Sequence, residues 1–312
     1  MNEFELIRRI LPTLPGLPQV VVGPGHDCAA LDFGLPDRLL LFKTDSVVQG
    51  SHFTNETDPA QVGRKALARC LSDFAAMGGT PTACLVTLGL PLGFDVAWVD
   101  AFYSGLNGLA AREGMAVAGG ETTTNPERIF ISIAAVGTVP RAHCPSRGGA
   151  QPGDGIFVTG ELGGSIAGRH LDFEPRLKEG RWLAEHFKPT AMMDLSDGLG
   201  GDLRHILLAS GVGAELMASA IPVSKAAKLR ARAEPSSKPP LVAALSDGED
   251  FELLFTVPAR AAVALVDAWK AAFPALRLSC VGRITREPGL RLRDANGIRQ
   301  MEENGYAHFQ KS

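Results

Sequence analysis

Acidic side chains recur in this sequence where apolar runs give way to Gly, Ser or Thr. Asp27 follows the Gly-Pro-Gly turn of "GPGHDCAAL", Asp45 closes "LLLFKTD", and Asp73 lies in "LSDFAAMGG". Glu121 ends the apolar part of "AVAGGETTT", and Asp194 and Asp197 sit in "MMDLSDGLGGDL". Such junctions are where α/β proteins build sites. Taken singly, each acid has an ordinary structural role, since Asp ahead of a helix caps it and Asp-Gly makes a turn. Gathered together, they would repel one another and hold raised pKa values unless cations neutralised them. Hard carboxylates with Ser or Thr oxygens suit Mg²⁺, which seldom takes an all-protein cage and commonly bridges to substrate phosphates. The chemistry implied is phosphoryl transfer, in which positioning and charge neutralisation do most of the catalysis. Spacing alone does not bring these acids together; the fold must.

The elements that would position them alternate between two periodicities. Residues 2–11 place Phe4, Ile7 and Leu11 on one helical face, and strand-like runs follow at 19–23, 28–32 and 38–44. The first turn resembles a phosphate-binding loop but carries His26 and Asp27 where Lys and a hydroxyl residue would stand. Asp58 and Pro59 open a helix with Val62, Ala66, Leu67, Cys70 and Phe74 on its apolar face, and Gly78-Gly79 stops it. Strand "ACLVTLGL", helix "AWVDAFYSGLNGLAAREG" and strands "MAVAGG" and "RIFISIAAVGTV" complete the first half. The Pro- and Gly-rich "PRAHCPSRGGAQPGD" lacks periodicity and marks the domain joint. Beyond it come strand "GIFVTG", helix "DLRHILLASG", strand "EDFELLFTV", a helix over 259–273, and strands "LRLSCVGRI" and "GLRLRD", with "RARAEPSSKPP" as an exposed linker. The fold class is α/β (α+β) in two domains, 1–140 and 141–312, with antiparallel pairing where strands follow one another directly.

Composition narrows the function. A chain of 312 residues, 45% hydrophobic, exceeds the ~250 residues at which single cores stop growing. Net charge −3 with scattered Lys and Arg gives no nucleic-acid surface. Five widely spaced cysteines in mostly apolar runs read as buried free thiols. No apolar run approaches the ~20 residues of a membrane span, and the N-terminus lacks a secretory cleavage pattern, so a cytoplasmic protein is expected.

The series "GPGHDCAAL", "KTDSVVQGSHF", "KALARCLSDFAAMGG", "AGGETT", "MMDLSDGL" and "SDGEDFELLF", in this order, resembles the thiamine-monophosphate kinase family of the aminoimidazole-ribonucleotide-synthetase-like ATP-binding superfamily. The likeness covers nearly the whole chain. It implies ATP and several Mg²⁺ ions at a domain cleft, and a homodimer whose N-terminal sheets pair into a β-barrel. It also implies in-line attack by thiamine monophosphate on the ATP γ-phosphate, giving thiamine diphosphate without a phosphoenzyme. Residue by residue, Asp27, Thr44, Asp45, Asp73, Glu121, Asp194 and Asp197 fall on metal positions. Gly120, Glu121, Arg147 and Ser196 fall on ATP positions, and His52, Glu249 and Glu303 on substrate positions. From its surroundings alone, Arg147 serves equally as a solvated linker arginine, His52 as a satisfied loop histidine, and Glu249 as a turn residue.

The chain departs from the family pattern at four of these places. His26 replaces the first of two adjacent acids; Glu121 replaces Asp; Lys43 stands where a small hydroxyl residue is usual; Glu303 stands where an aromatic stacks on substrate. The first three suggest that protein cations, Lys43 and His26, sit near Asp27 and Asp45 and take over part of the divalent charge. The fourth weakens stacking on a flat cationic ring. Trp98, Trp182 and Trp269 all lie in helix-like segments and offer no obvious replacement. Two other readings compete: a superfamily enzyme with a different acceptor, and a non-catalytic nucleotide-binding sensor. The selenophosphate-forming relatives need a Cys-Lys pair in a Gly-rich N-terminal segment, and the hydrogenase-maturation relatives a C-terminal Cys; neither feature occurs here.

Overall fold

A computed structural model describes residues 3–234 and 236–301 of the chain. Helix α1 (Glu3–Ile10) precedes short strands β1 (Val20–Val22) and β2 (Ala29–Leu31) and the long β3 (Arg38–Val48). Helix α2 (Pro59–Ala76), β4 (Thr80–Leu90), α3 (Val96–Arg112), β5 (Ala116–Thr124) and β6 (Phe130–Pro140) follow. These strands form one sheet in the order β1-β2-β3-β6-β4-β5, antiparallel except where β4 meets β5. The second half runs β7 (Gly155–Thr159), α4 (Arg169–Asp172), α5 (Leu177–His186), β8 (Ala191–Asp194), α6 (Leu199–Ser210) and β9 (Gly213–Met217). It continues with α7 (Lys225–Ala233), α8 (Pro240–Ser246), β10 (Leu253–Val257), α9 (Ala262–Ala272), β11 (Leu278–Thr285), β12 (Gly289–Asp294) and β13 (Gly297–Gln300). Its sheet has the order β13-β12-β9-β11-β7-β10-β8. The expected α/β fold with two sheets is therefore present, and neither sheet closes into a barrel within the single chain.

Several local expectations need correction. Asp45 and Glu121 do not end their strands. β6 pairs with β3 as far as Val48, and β4 carries β5 to Thr124, so both acids lie in strand interiors. The cross-strand hydrogen bonds outlast the apolar run that marks each strand in the sequence. "RARAEPSSKPP" is not all linker, because α7 extends to Ala233. Strand β10 starts only at Leu253, leaving residues 249–252 as an irregular approach. All five cysteines are free, but Cys280 is exposed on β11.

Helix α2 sets the spatial relation of the two halves. The Asp58 carboxylate accepts from Ala60 N–H and Pro59 occupies the first turn, while Gly78 at φ +61° ends the helix. From Val62 onward the helix is buried on nearly every side, against β3, α3 and α5. One continuous apolar core follows, joining Leu41 and Leu71 of the first half to Leu183 and Phe255 of the second. Small residues allow this sandwich. A Cβ at Gly63 would lie 1.9 Å from the Phe102 carbonyl on α3, and one at Gly180 on α5 would lie 2.0 Å from the Ala75 carbonyl.

The α2–α3 contact yields a paired expectation. Gly63→Ala forces two helix backbones apart and should cost about 1–3 kcal/mol. Gly108→Ala, on α3 with nothing within 4 Å of the new Cβ, should be neutral or stabilising by up to ~1 kcal/mol through helix propensity. Urea midpoints of the two variants measure the difference; equal midpoints would rule out backbone contact at Gly63.

Candidate functional site

Three of the expected metal ligands meet beneath the first sheet. Asp27 leaves the turn at Gly25 (φ +101°), Asp73 projects from α2, and Asp194 ends β8. All three are buried, and one carboxylate oxygen from each lies within 4.8 Å of the others. The donor set is all hard oxygen and fits a divalent cation such as Mg²⁺. Ser72 donates to Asp194 at 2.6 Å. Burial, followed by the Asp27 charge, pushes the Asp194 carboxyl up to about 6. Burial also drives Asp73 upward; Lys43 is the chief opposing charge, while Asp194, Asp45 and Asp27 add to the rise.

Two protein cations reach this cluster. Lys43 Nζ lies 2.8 Å from Asp73 Oδ1, and Arg147 grips Asp27, with Nη2 at 2.6 Å from Oδ1. Arg147 is therefore not a solvated linker residue. Lys43 pairs with Asp73; Asp45, as anticipated, lies near it on the same face of β3, while Asp27 is paired with Arg147 instead. His26 does not serve as a replacement cation. Its Nδ1 accepts the Arg147 backbone N–H at 3.4 Å, and burial together with the Arg147 charge lowers its pKa, which keeps the ring neutral.

Asp45 lies on the same inner face of β3 as Lys43, where its Oδ2 accepts from Arg69 Nε at 3.2 Å. Thr44 points the other way and meets Ser132 across the outer face at 3.3 Å. Glu121 shares an outer-face row with Thr87, Ser132 and Ser46, on the exposed edge strand β5. Gly120 stands in register with Asp45 but three strand spacings away, about 14 Å at ordinary strand separation. A Cβ at Gly120 would collide with the Val86 carbonyl at 1.8 Å, so glycine is required there by backbone packing. Within one chain, then, Thr44, Gly120 and Glu121 stand apart from the acid cluster.

A second acid group forms where β8 turns into α6. Asp197, Asp202 and His205 each offer a ligand atom within 4.8 Å of the others. Buried Asp202 accepts the Asp197 backbone N–H through Oδ2, while its Oδ1 has no hydrogen-bond partner. The Ser196 carbonyl accepts from Glu249 N–H at 2.7 Å and so ties this loop to the segment before β10.

His52 and Glu249 come together through a lysine that sequence reading passed over. Lys65, 1% exposed on α2, donates to the His52 carbonyl at 2.7 Å and pairs with Glu249 Oε2 at 2.7 Å. His170 Nδ1 lies 2.9 Å from the same carboxylate, and Arg69 Nη1 lies 3.6 Å from its other oxygen. Burial alone would raise the Glu249 pKa, but His170 and Lys65 outweigh it and hold the carboxylate at about 2. Glu249 (φ 63°) and Phe251 (φ 50°) both adopt the left-handed conformation, a strain that surrounding contacts must sustain. Lys65, Arg69 and Asp73 are four residues apart on one face of α2. That polar i, i+4, i+8 stripe in an otherwise apolar helix was the available signal for Lys65 and Arg69. Glu303 lies outside the described residues. Trp182 and Trp269 pack together with Phe273, and Trp98 stacks on Phe53 and Phe102, so each is engaged in an aromatic cluster.

Comparison with known proteins places this geometry. Residues 25–139 match the family "AIR synthase related protein, N-terminal domain". The chain is 38% identical to thiamine-monophosphate kinase of Rhodopirellula baltica, over 94% of this chain and 92% of that one. It is 36% identical to the Escherichia coli K12 enzyme of the same name, over 99% and 98%. The solved structure "AaThiL complexed with AMPPCP and TMP" superposes with a TM-score of 0.83 at 31% identity, covering 99% of this chain and 97% of that one. Escherichia coli HypE, a hydrogenase maturation protein, shares the fold at 20% identity with a TM-score of 0.72.

The loop around His52 gives a pH test. His52 Nδ1 accepts the Val48 N–H at 3.0 Å, which requires the neutral ring. Burial, then the Arg69 charge, lowers its pKa to about 4, below the ~6.5 of an unfolded histidine. Between these values the unfolded chain binds more protons, so His52 makes stability fall as pH drops from about 6.5 to 4. An NMR titration should find a midpoint near 4 with the proton on Nε2, and His52→Asn should flatten the acid loss of stability. A midpoint near 6.5 would contradict this geometry.

Proposed function

The chain belongs to the thiamine-monophosphate kinase family, and we infer that it transfers the γ-phosphate of ATP to thiamine monophosphate, releasing ADP and thiamine diphosphate. The observation that carries this reading is the buried triad of Asp27, Asp73 and Asp194, flanked by cationic side chains. A phosphate oxygen of the acceptor forms the new bond to the γ-phosphorus as the bond to the ADP oxygen breaks, and no protein nucleophile is needed. Asp27, Asp73 and Asp194 would hold Mg²⁺, with Asp45 and Asp197 as further acids of the same set. A divalent ion bound there would supply neutralisation of charge on the phosphates being exchanged.

The chain's own residues supply orientation. Arg147, partly exposed and forked onto Asp27, is placed to share its remaining donors with nucleotide oxygens beside Ser196. His52 and Glu249, fastened to each other through Lys65, form the acceptor side. Residues 1–140 serve as the nucleotide, metal and dimerisation domain and 141–312 as the second domain, in a cytoplasmic homodimer. The outer face of the first sheet supports pairing, because Phe42 and Leu85 expose about half their surface there. Pairing two such faces into a barrel would carry Glu121 of the partner subunit toward Thr44 and complete a set that one chain keeps apart. The fold shared with HypE does not favour a different acceptor, since its identity is only 20%.

Incubation with ATP, Mg²⁺ and thiamine monophosphate should yield thiamine diphosphate, and Asp73→Asn should abolish turnover while leaving the melting transition in place. Intact ATP binding without product in the wild type would favour the sensor reading. Subunit sharing has its own test: mixing Asp73→Asn and Glu121→Gln chains should restore activity that neither has alone. Failure to restore it, with subunit exchange verified, would return Glu121 to its own chain's site.

A further inference from the structure

Lys43 occupies a position that apolar patterning reserves for the core. It lies on the inner face of β3 in alternation with Leu39, Leu41 and Val47, all buried. A lysine there is costly unless its charge is matched, and it is matched by Asp73 at 2.8 Å. Asp73 is itself one corner of the acid triad. Of the triad's three carboxylates, Asp27 is paired with Arg147, Asp73 with Lys43, and Asp194 receives only the Ser72 hydroxyl among the described residues.

An ammonium is a compact point charge with three donors. Fixed on the β3 side of Asp73, it takes the carboxylate's charge and repels any divalent ion approaching from that side. We propose that Lys43 is a built-in counter-ion that replaces one divalent cation at the Asp73 corner, so that the triad binds one fewer metal ion than its carboxylates could otherwise hold. The proposal rests on the reading of the triad as a metal site. Lys43 acts through Asp73 and the metal set, and is thus a positioning residue.

Metal stoichiometry tests it directly. Mn²⁺ bound per chain is counted by equilibrium dialysis with electron paramagnetic resonance, in the presence of a non-hydrolysable ATP analogue, for the wild type, Lys43→Ser and Lys43→Arg. Lys43→Ser should bind one more Mn²⁺ than the wild type, and Lys43→Arg, which keeps the charge, the same number as the wild type. Should Lys43→Ser fail to fold by circular dichroism, Lys43→Gln takes its place with the same expectation. Equal Mn²⁺ counts in the wild type and the neutral variant overturn the proposal while leaving the metal reading intact. A wild type that binds no Mn²⁺ overturns both. A purely structural ion pair would lower the melting temperature in Lys43→Ser without changing the count.

Discussion

Charge buried on a helix that is covered on nearly all sides must find its counter-charge in the protein, and α2 carries that requirement for the whole molecule. Lys65, Arg69 and Asp73 form a polar stripe along a helix otherwise packed by Leu67, Leu71 and Phe74. Their partners come from distant parts of the chain: Lys43 and Asp45 from β3, the His52 carbonyl from the following loop, and His170 and Glu249 from the second half. Ser72 adds Asp194 from β8. Removing one partner of a buried pair strands the other, at a cost of about 3–5 kcal/mol. The same contacts that keep α2 soluble inside the core therefore align the ends of two sheets over one cluster.

The segment before β10 shows how that alignment is kept rigid. Glu249 and Phe251 hold left-handed backbone conformations that neither residue favours. They are held from both sides. Arg176 binds both oxygens of the buried Glu252 at 2.7 Å, Thr159 donates to the same carboxylate, and Arg169 bridges Glu252 and Asp250. Phe251 stacks on Phe173 with ring centroids 4.1 Å apart. Strain of this kind is sustained only where surroundings over-determine it, and here it delivers the Glu249 carboxylate to Lys65.

What the sequence made legible follows from locality. The start and stop of α2 could be read because Asp58, Pro59 and Gly78 act on their own neighbours. The acids Asp27, Asp73 and Asp194 could be listed, since each sits beside turn-forming or small residues, but their convergence depends on strands far apart in order. Misreading of Asp45 and Glu121 as strand ends had the same origin, because β6 and β4 extend strands whose apolar run has already finished. The short elements α5, β8 and β9 were not anticipated, as their burial comes from neighbours rather than from a long periodic pattern. Resemblance supplied the grouping of His52 with Glu249; the lysine that joins them belongs to the helix between.

The distribution of charge in the triad gives the site its direction. Arg147 satisfies Asp27 and Lys43 satisfies Asp73, leaving Asp194 with a neutral hydroxyl donor and with no cation at ion-pair distance among the described residues. Three carboxylates against two cations leave an unmatched negative charge at Asp194, deep at the end of β8, where low dielectric makes it attract a cation strongly. From Asp194 the chain turns at once through Ser196 and Asp197 into α6, whose first backbone N–H groups carry partial positive charge suited to phosphate. A cation held at Asp194 would lie close to the start of α6, with Asp27 and Asp73 already paired to Arg147 and Lys43. The protein reaches a phosphoryl-transfer geometry without a lysine in its glycine-rich turn, because the cations that flank its acids come from β3 and from the segment that joins the two sheets.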